Sequence, residues 1–242
     1  MGLTGKTAIV TGGGTGFGAG IARALAAAGA RVMIGDADPD AAEAVARDCG
    51  GLWVALDPGL NASVGAMGYK AADVLGDLDI LVNAALPPAS VGLLHQISET
   101  GFDALLLATA TSVHLTTQHF VPAMQARRSG VILQVLRRTP AQSIWADAAN
   151  AWTAGLTRSM AAELGPQGIR VNALSVLADT APALPRFLGG KNNDDRARHL
   201  STVPLGRYGL PDDLAQVAVF LCSEGASLIT GLVMDIDGGA RL

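Results

Sequence analysis

The sequence contains few residues of several kinds that particular classes of protein need. Aromatic residues make up 4% and charged residues 16% of the 242 positions, and there are two cysteines. Cys49 and Cys222 form neither a CxxC pair nor a metal-ligand pattern, so we expect partly buried thiols and no metal site. No apolar run reaches about 18 residues, so we expect no membrane-spanning helix.

Basic clusters are also missing. The formal net charge is −4, and Arg127-Arg128 and Arg137-Arg138 are short isolated pairs. Without a basic stripe to neutralise phosphates, neither a nucleic acid nor an anionic membrane is an expected partner. A strand-like segment, KTAIVTG, begins at Lys6, so we expect no signal peptide and a reduced, cytoplasmic protein.

The chain alternates short β-branched runs with longer segments rich in alanine and leucine. Half of its residues are hydrophobic, and 242 residues suit one domain spanning 1–242. The predicted strands cover 7–11, 31–36, 52–57, 79–83, 131–136, 169–174 and 232–237. The predicted helices include 61–75, about 98–127, 147–164 and 211–223, and 178–200 is predicted to be a mobile loop. This pattern indicates an α/β fold with a doubly wound parallel sheet and helices on both faces.

A glycine-rich turn joins the first predicted strand to the first helix. In VTGGGTGFGAG, Gly12, Gly16 and Gly18 allow a tight turn and close approach to a pyrophosphate at the helix N-terminus. Asp36 ends the second strand, where a carboxylate accepts ribose hydroxyls and repels a 2′-phosphate, so NAD is favoured over NADP. The alternative is that these glycines only permit close packing of strand and helix.

Five motifs together resemble the short-chain dehydrogenase/reductase family over essentially the whole chain: TGGGTGFG, LVNAA, GIRVNAL, PLGRYGLPDDLAQVAVFLCSEGASLITG and MDIDGG. The resemblance implies a single Rossmann-like domain that assembles into dimers or tetramers through helix pairs and the C-terminal strand. It also implies cofactor-binding positions at Gly12, Gly16, Phe17, Gly18, Asp36, Asp57, Asn83 and Thr180.

The catalytic set that this family shares is replaced throughout. The resemblance places the family's Asn, Ser, Tyr and Lys at Thr109, Arg137, Ala146 and Asn150, respectively. Tyrosine is the family's acid/base group, and lysine lowers its pKa and binds the nicotinamide ribose. The tyrosines are Tyr69 and Tyr208, and the lysines are Lys6, Lys70 and Lys191, so no Tyr-x-x-x-Lys pair exists anywhere in the chain.

The cofactor pocket implied by the resemblance is altered less. Leu86 replaces a glycine that lets the backbone pass close to the cofactor ribose. Loss of the lysine removes a charge-assisted contact of roughly 1.5–3 kcal/mol. Arg137 adds a positive charge near the cationic ring of NAD⁺. We therefore expect NAD binding to be weak or lost.

Two main hypotheses follow. The favoured one is a non-catalytic subunit of a hetero-oligomeric NAD-dependent alcohol or hydroxyacyl dehydrogenase, paired with an active homologous subunit. In this loss of the catalytic set, the chain looks like the silent short-chain subunit of the heteromeric (hydroxybenzyl)succinyl-CoA dehydrogenase. The alternative is an active enzyme with other proton-transfer groups, for which Asp147, Ser143 and the four histidines are the candidates, or one whose substrate needs no acid from the protein. A dinucleotide sensor is a third reading.

Overall fold

The structure is a computed structural model that describes residues 2–86, 95, 97–138, 144–178 and 194–242, with backbone alone for 144–146 and 194–196. Seven parallel strands form one sheet in the order β3-β2-β1-β4-β5-β6-β7. They are β1 (Thr7–Thr11), β2 (Arg31–Asp36), β3 (Leu52–Ala55), β4 (Ile80–Asn83), β5 (Gly130–Arg138), β6 (Ile169–Leu177) and β7 (Val233–Ile236). The predicted Rossmann-like α/β fold is confirmed.

Helices cover both faces of this sheet. They are α1 (Gly16–Ala27), α2 (Pro39–Cys49), α3 (Asn61–Val74), α4 (Glu99–Leu106), α5 (Ser112–Arg127), α6 (Ile144–Leu164), α7 (Asp194–Leu200) and α8 (Pro211–Cys222). Helices α1, α2 and α8 share one apolar cluster with the sheet, and α3, α5 and α6 share the other. Strand residues supply both clusters alternately, as with Val10 in the first and Ile9 in the second, because successive side chains point to opposite faces.

Local sequence signals set several helix ends. The Asp38 side chain accepts hydrogen bonds from the backbone N–H groups of Asp40 and Ala41, Pro39 starts α2, and Gly50 ends it with a φ of 57°. Asp213 plays a related part in α8, where its Oδ2 accepts from the Leu210 N–H at 2.8 Å. Such contacts satisfy backbone groups that a helix end leaves unpaired.

Strand order places the candidate site. From β1 the chain adds β2 and β3 on one side and then returns to place β4 on the other side of β1. The connections before and after this reversal diverge, which leaves a crevice at the C-terminal ends of β1 and β4. Val10 pairs with both Ile34 and Val82 in this register, so the ends of β1, β2 and β4 are level.

Three features differ most from the sequence-based expectations, and several other element ends shift by one to three residues. The predicted helix over 98–127 is divided by a π-helical segment, Leu107–Thr111, between α4 and α5. Strands β5 and β6 each run two or three residues further, because they pair with one another from Gly130↔Ile169 to Arg138↔Leu177. Asp194–Leu200 is a helix rather than part of a loop, and 179–193 lies outside the described residues.

Other expectations concern thiols, metals and membranes. Cys49 and Cys222 are both free, and complete burial raises the pKa of the Cys222 thiol to about 12, partly opposed by the charge of Arg170. Among the described residues, no group of histidine, cysteine and acidic side chains is arranged to hold a metal ion. None of the described helices has both the length and the apolar character needed to cross a bilayer.

Candidate functional site

A cleft of about 390 Å³ lies at the crevice between the strand ends, which is within the usual range for small-molecule sites. Its walls come from the glycine-rich turn, from Asp36 at the end of β2, from Ala84–Leu86 after β4, and from Arg137 in β5. Among the described residues that line it, Asp36 and Arg137 carry the charges. The structure therefore brings one anionic and one cationic side chain to the same cleft.

The glycine-rich turn is too tight for side chains at two positions. A Cβ on Gly12, which has a φ of 63°, would lie 2.6 Å from the Ala84 carbonyl oxygen. A Cβ on Gly18 would lie 2.0 Å from the Gly12 oxygen. The close approach of the segment after β4 therefore accounts for Gly12, and the packing of α1 against the turn accounts for Gly18. Gly16 differs, because a Cβ there would meet nothing within 4 Å. Its backbone faces open space beside the cleft.

Helix α1 begins at this open surface. Thr15 precedes it in extended conformation, and its side chain makes no capping hydrogen bond. The first backbone N–H groups of a helix have no partner within the helix, and together with the helix dipole they attract anions. The start of α1 is thus available to a phosphate group.

Asp36 is held against the turn by two backbone donors. Its Oδ2 accepts from the Gly14 N–H at 2.8 Å, and its Oδ1 accepts from the Asp38 N–H at 3.0 Å. A carboxylate has about four acceptor positions, so two remain after these contacts. The side chain is therefore fixed in orientation and can still accept hydrogen bonds from two hydroxyl groups.

These features fit the adenosine diphosphate half of a dinucleotide. A diphosphate suits the glycine turn and the start of α1, and a ribose suits the carboxylate of Asp36. The other half of a dinucleotide would extend across the strand reversal, towards β4 and β5. Leu86 and Arg137 both line that part of the cleft.

Arg137 and Asn150, which the sequence aligns with the family's Ser and Lys, are in contact. The Asn150 Nδ2 donates to the Arg137 backbone oxygen at 3.0 Å and so ties α6 to the end of β5. Burial lowers the pKa of the half-buried Arg137 guanidinium from its ordinary value, although an arginine remains protonated at neutral pH. Neither side chain supplies a proton that a carbonyl or alcohol can exchange.

The other predicted site residues are dispersed. Thr109 lies in the π-helical segment, and its hydroxyl donates to the Leu105 carbonyl at 2.7 Å. Ala146 is in α6 with only its backbone described, and Thr180 lies outside the described residues. Asp57 is exposed, and its Oδ1 accepts from the Gly59 N–H at 2.9 Å.

Asn83 faces away from the cleft, in a buried polar layer between the sheet and α5. Its Oδ1 accepts from the Thr116 hydroxyl at 2.9 Å, and Gln134 is its register partner in β5. The Asn83 amide nitrogen and both polar atoms of the Gln134 side chain lack a hydrogen-bond partner among the described residues. Sequence analysis missed Gln134, although a glutamine inside the apolar run VILQVL was a visible signal.

A second cluster of ionisable residues lies near the ends of β5–β7. Arg138 forms a 3.1 Å salt bridge with buried Asp237, and His199 in α7 stacks on buried Tyr208, with Nδ1 3.2 Å from the phenol oxygen. Burial lowers the pKa of His199, and the positive charge of Arg138 lowers it further. Gly209, next to Tyr208, pairs with Ala178, which lines the cleft, so this cluster adjoins the cleft.

Comparisons with known proteins agree with this architecture. The family described as enoyl-(acyl carrier protein) reductase matches residues 12–241. The chain is 34% identical, over 100% of both proteins, to 4-formylbenzenesulfonate dehydrogenase of Comamonas testosteroni. It is also 34% identical to a Xanthobacter autotrophicus protein named inactive 2-(S)-hydroxypropyl-CoM dehydrogenase 2, over 90% of this chain and 98% of the relative.

Among solved structures, the chain resembles 3-ketoacyl-(acyl-carrier-protein) reductase from Brucella melitensis, crystallised as a complex with NADH. The TM-score is 0.88 and the sequence identity 35%, covering 99% of this chain and 100% of that chain.

Proposed function

The chain belongs to the short-chain dehydrogenase/reductase family, and on that premise we propose that it is a non-catalytic subunit of a cytoplasmic, hetero-oligomeric NAD-dependent dehydrogenase. Its partner would be an active homologous subunit that oxidises an alcohol or hydroxyacyl substrate. This chain would stabilise that partner or shape its substrate pocket. In this chain the fold would keep the capacity to bind a dinucleotide and would lack the capacity to transfer a proton.

One contact carries the proposal: the hydrogen bond from Asn150 to the Arg137 backbone oxygen. At these two positions an active relative needs a lysine and a serine, which act on the cofactor and the substrate. Here the shorter Asn150 side chain contacts the protein's own backbone. Thr109 likewise contacts a carbonyl of its own helix. None of the three described positions, Thr109, Arg137 and Asn150, carries an acid/base group. Loss of a positioned acid/base group costs about 10²–10⁴ in rate.

A retained cofactor site is part of the proposal. The start of α1 with Gly12, Gly16, Phe17 and Gly18 would hold the diphosphate, and Asp36 the adenosine ribose. When bound, the nicotinamide group supplies a hydride acceptor or donor. Asp57 and Asn83 do not line the cleft themselves. They would position their neighbours Pro58 and Ala84, which do. Without the lysine contact, binding would be weaker by about 10- to 100-fold.

The relative named inactive supports the proposal by analogy, since it shows that this level of similarity extends to a protein described as lacking activity. The two other proteins named above are a dehydrogenase and a reductase. The substituted positions, rather than family membership, therefore support the absence of catalysis.

The first experiment measures activity of the isolated chain. Purified protein is incubated with NAD⁺ and a panel of secondary alcohols and hydroxyacyl thioesters, and NADH formation is followed by absorbance. We expect no turnover above the rate without protein. Sustained turnover that disappears in Asp147→Ala would overturn the proposal in favour of substituted proton chemistry.

The second experiment concerns the partner. Co-expression with homologous subunits encoded nearby should yield a stable hetero-oligomer, identified by mass after size-exclusion chromatography. A chain that forms only a homotetramer under every co-expression would contradict the hetero-oligomeric part of the proposal.

The alternative function is an active enzyme with other proton-transfer groups, and the His199–Tyr208 pair favours it. A neutral histidine beside a phenol is able to relay a proton, and the pair adjoins the cleft through Ala178 and Gly209. If turnover is found, Tyr208→Phe tests this reading, since it removes the phenol oxygen and keeps the ring stacked on His199. Unchanged turnover in that variant would exclude the pair.

A further inference from the structure

The two halves of the cleft differ in the hydrogen bonds that they offer to a ligand. In the half formed by β1, β2 and the start of α1, acceptor positions of the Asp36 carboxylate and the first N–H groups of the helix remain open. The described lining of the other half, over β4–β6, consists of Ala84, Ala85, Leu86, Ala108, Arg137 and Ala178. Of these side chains only Arg137 has hydrogen-bonding groups, and it already has interactions within the chain.

Leu86 holds a fixed position in this second half. A Cβ on Gly12 would lie 2.6 Å from the Ala85 backbone, so the segment after β4 lies directly against the glycine turn. Leu86 is the next residue, and it is half-buried against the apolar cluster that α1 and α8 share with the sheet. Turning its side chain out to solvent would lose that burial. The branched side chain therefore takes up room that a second ribose in the cleft would need.

The nicotinamide riboside half of a dinucleotide is also rich in polar groups. It brings two ribose hydroxyls and a carboxamide, and each polar group that loses water without gaining a partner weakens binding on the order of 10-fold. Asn150 does not supply such a partner, because its Nδ2 donates to the Arg137 backbone oxygen at 3.0 Å. Placing this half in the described part of the cleft would therefore cost affinity rather than add it.

We infer that the cleft is a site for adenosine 5′-diphosphate (ADP) itself and that Leu86 keeps the nicotinamide riboside half of NAD(H) out of it. The inference rests on the retained nucleotide site proposed above and narrows its ligand. The diphosphate would lie at the start of α1 and the ribose hydroxyls at Asp36, whose charge also repels a phosphate on the 2′ or 3′ oxygen. A subunit with this site would be loaded according to the ADP concentration.

The test is a set of binding measurements by calorimetry with ADP, ADP-ribose, NADH and AMP. We expect the native chain to bind ADP at least as tightly as NADH. ADP-ribose should bind about as well as ADP, since its terminal ribose is free to remain in solvent. AMP, which lacks the second phosphate and its contacts with the N–H groups of α1, should bind more weakly on the order of 10-fold.

Substitutions separate the two halves of the cleft. Leu86→Ala shortens the obstructing side chain, so the ratio of the NADH and ADP dissociation constants should fall on the order of 10-fold. Leu228→Ala is the matched control, since Leu228 is 96% exposed, and it should leave the ratio unchanged. Asp36→Asn should weaken ADP, ADP-ribose and NADH together, because all three use the adenosine end.

The outcomes distinguish this inference from the proposal beneath it. If the native chain binds NADH more tightly than ADP, the nicotinamide half contributes to binding, and the inference is wrong while the cofactor site stands. A ratio that is the same in Leu86→Ala and the native chain would equally overturn the exclusion by Leu86. If none of the four ligands binds, the retained nucleotide site itself fails. Should Leu86→Ala not fold, the order of NADH and ADP affinities in the native chain decides.

Discussion

Asn150, which the sequence aligns with the family's lysine, makes a structural contact. Its side-chain amide donates to the Arg137 backbone oxygen at 3.0 Å. This bond joins α6 to the strand end that carries Arg137. The side chain is half-buried, so its removal leaves a partly desolvated carbonyl without a donor.

We predict that Asn150→Ala lowers the free energy of unfolding by about 1 kcal/mol, the usual net contribution of such a hydrogen bond. Chemical denaturation followed by circular dichroism measures the change. Ser159→Ala, an exposed position on the same helix, should change stability by less than about 0.5 kcal/mol. Equal effects in the two variants would show that the contact does not contribute.

Gly18 gives a second prediction at the scale of single residues. An alanine Cβ there would be 2.0 Å from the Gly12 oxygen, so α1 must move away from the turn. Gly18→Ala should destabilise the protein by about 2 kcal/mol or more and weaken ADP-ribose binding. Gly2→Ala, where a Cβ meets nothing within 4 Å, should behave as the native chain in both assays.

Among the elements, strands and the glycine turn were predictable because their signals are local. Strand β2 spans 31–36 as expected, since its four central residues follow the pattern of a strand covered on both faces. The π-helical segment was not predictable, because an extra residue in one turn leaves the apolar periodicity of 98–127 almost unchanged. The Asn150–Arg137 contact and the layer of Asn83 with Gln134 depend on register between distant elements, which no local pattern encodes.

Helix α6 contains an interior glycine that packing does not require. A Cβ on Gly155 would meet nothing within 4 Å, whereas one on Gly20 in α1 would lie 2.7 Å from the Pro211 Cβ. Gly155→Ala should raise the free energy of unfolding by about 0.5–1 kcal/mol, since alanine restricts the unfolded chain and favours the helix. Gly20→Ala, the same change in a crowded place, should lower it. A destabilising Gly155→Ala would indicate that the exposed face of α6 is in contact with another subunit.

The start of helix α8 predicts a pH dependence. Asp213 accepts two hydrogen bonds from the Arg207 guanidinium, at 2.6 and 2.8 Å, and this pairing lowers its pKa from 3.8 to about 2. Because the pKa in the folded state is depressed, the stabilisation is present above about pH 4 and is lost as the pH falls towards 2. Solvent screening keeps the effect small, since the Arg207 side chain is exposed and the Asp213 side chain is only partly buried.

We therefore expect Asp213→Asn to lower the melting temperature by about 2 °C at neutral pH, with the difference disappearing between about pH 4 and pH 2. Asp212→Asn removes a neighbouring carboxylate and leaves the pair of Asp213 with Arg207 in place. Its melting temperature should therefore differ from that of the native chain by an amount that depends less on pH. Thermal melts over this pH range measure both. A difference between Asp213→Asn and the native chain that persists undiminished at pH 2 would contradict the assignment.

For the whole molecule, the relevant feature is an exposed apolar surface beside the altered site. Leu106, Leu107 and Trp152 are 41%, 47% and 41% exposed, respectively. They lie on α4, the π-helical segment and α6, and the first two of these elements contact the third. Large apolar side chains exposed together are typical of an interface, and tryptophan is often central in one. This surface is our candidate for contact with the active subunit.

Trp152→Arg tests that assignment, because it places a charge in the proposed interface while the side chain remains partly solvated in the free chain. We expect the dissociation constant of the hetero-oligomer to rise on the order of 10-fold or more, with the melting temperature of the isolated chain almost unchanged. Leu228→Arg is the matched control, since Leu228 is 96% exposed and lies between Ser227 and Thr230, which border the first residues of β5 and β6 at the end of the sheet opposite the cleft. Light scattering after chromatography, with the co-expressed partner present, distinguishes the two variants. If both assemblies form with native affinity, the partner binds elsewhere on the chain, and the open edge of β7 becomes the surface to substitute next.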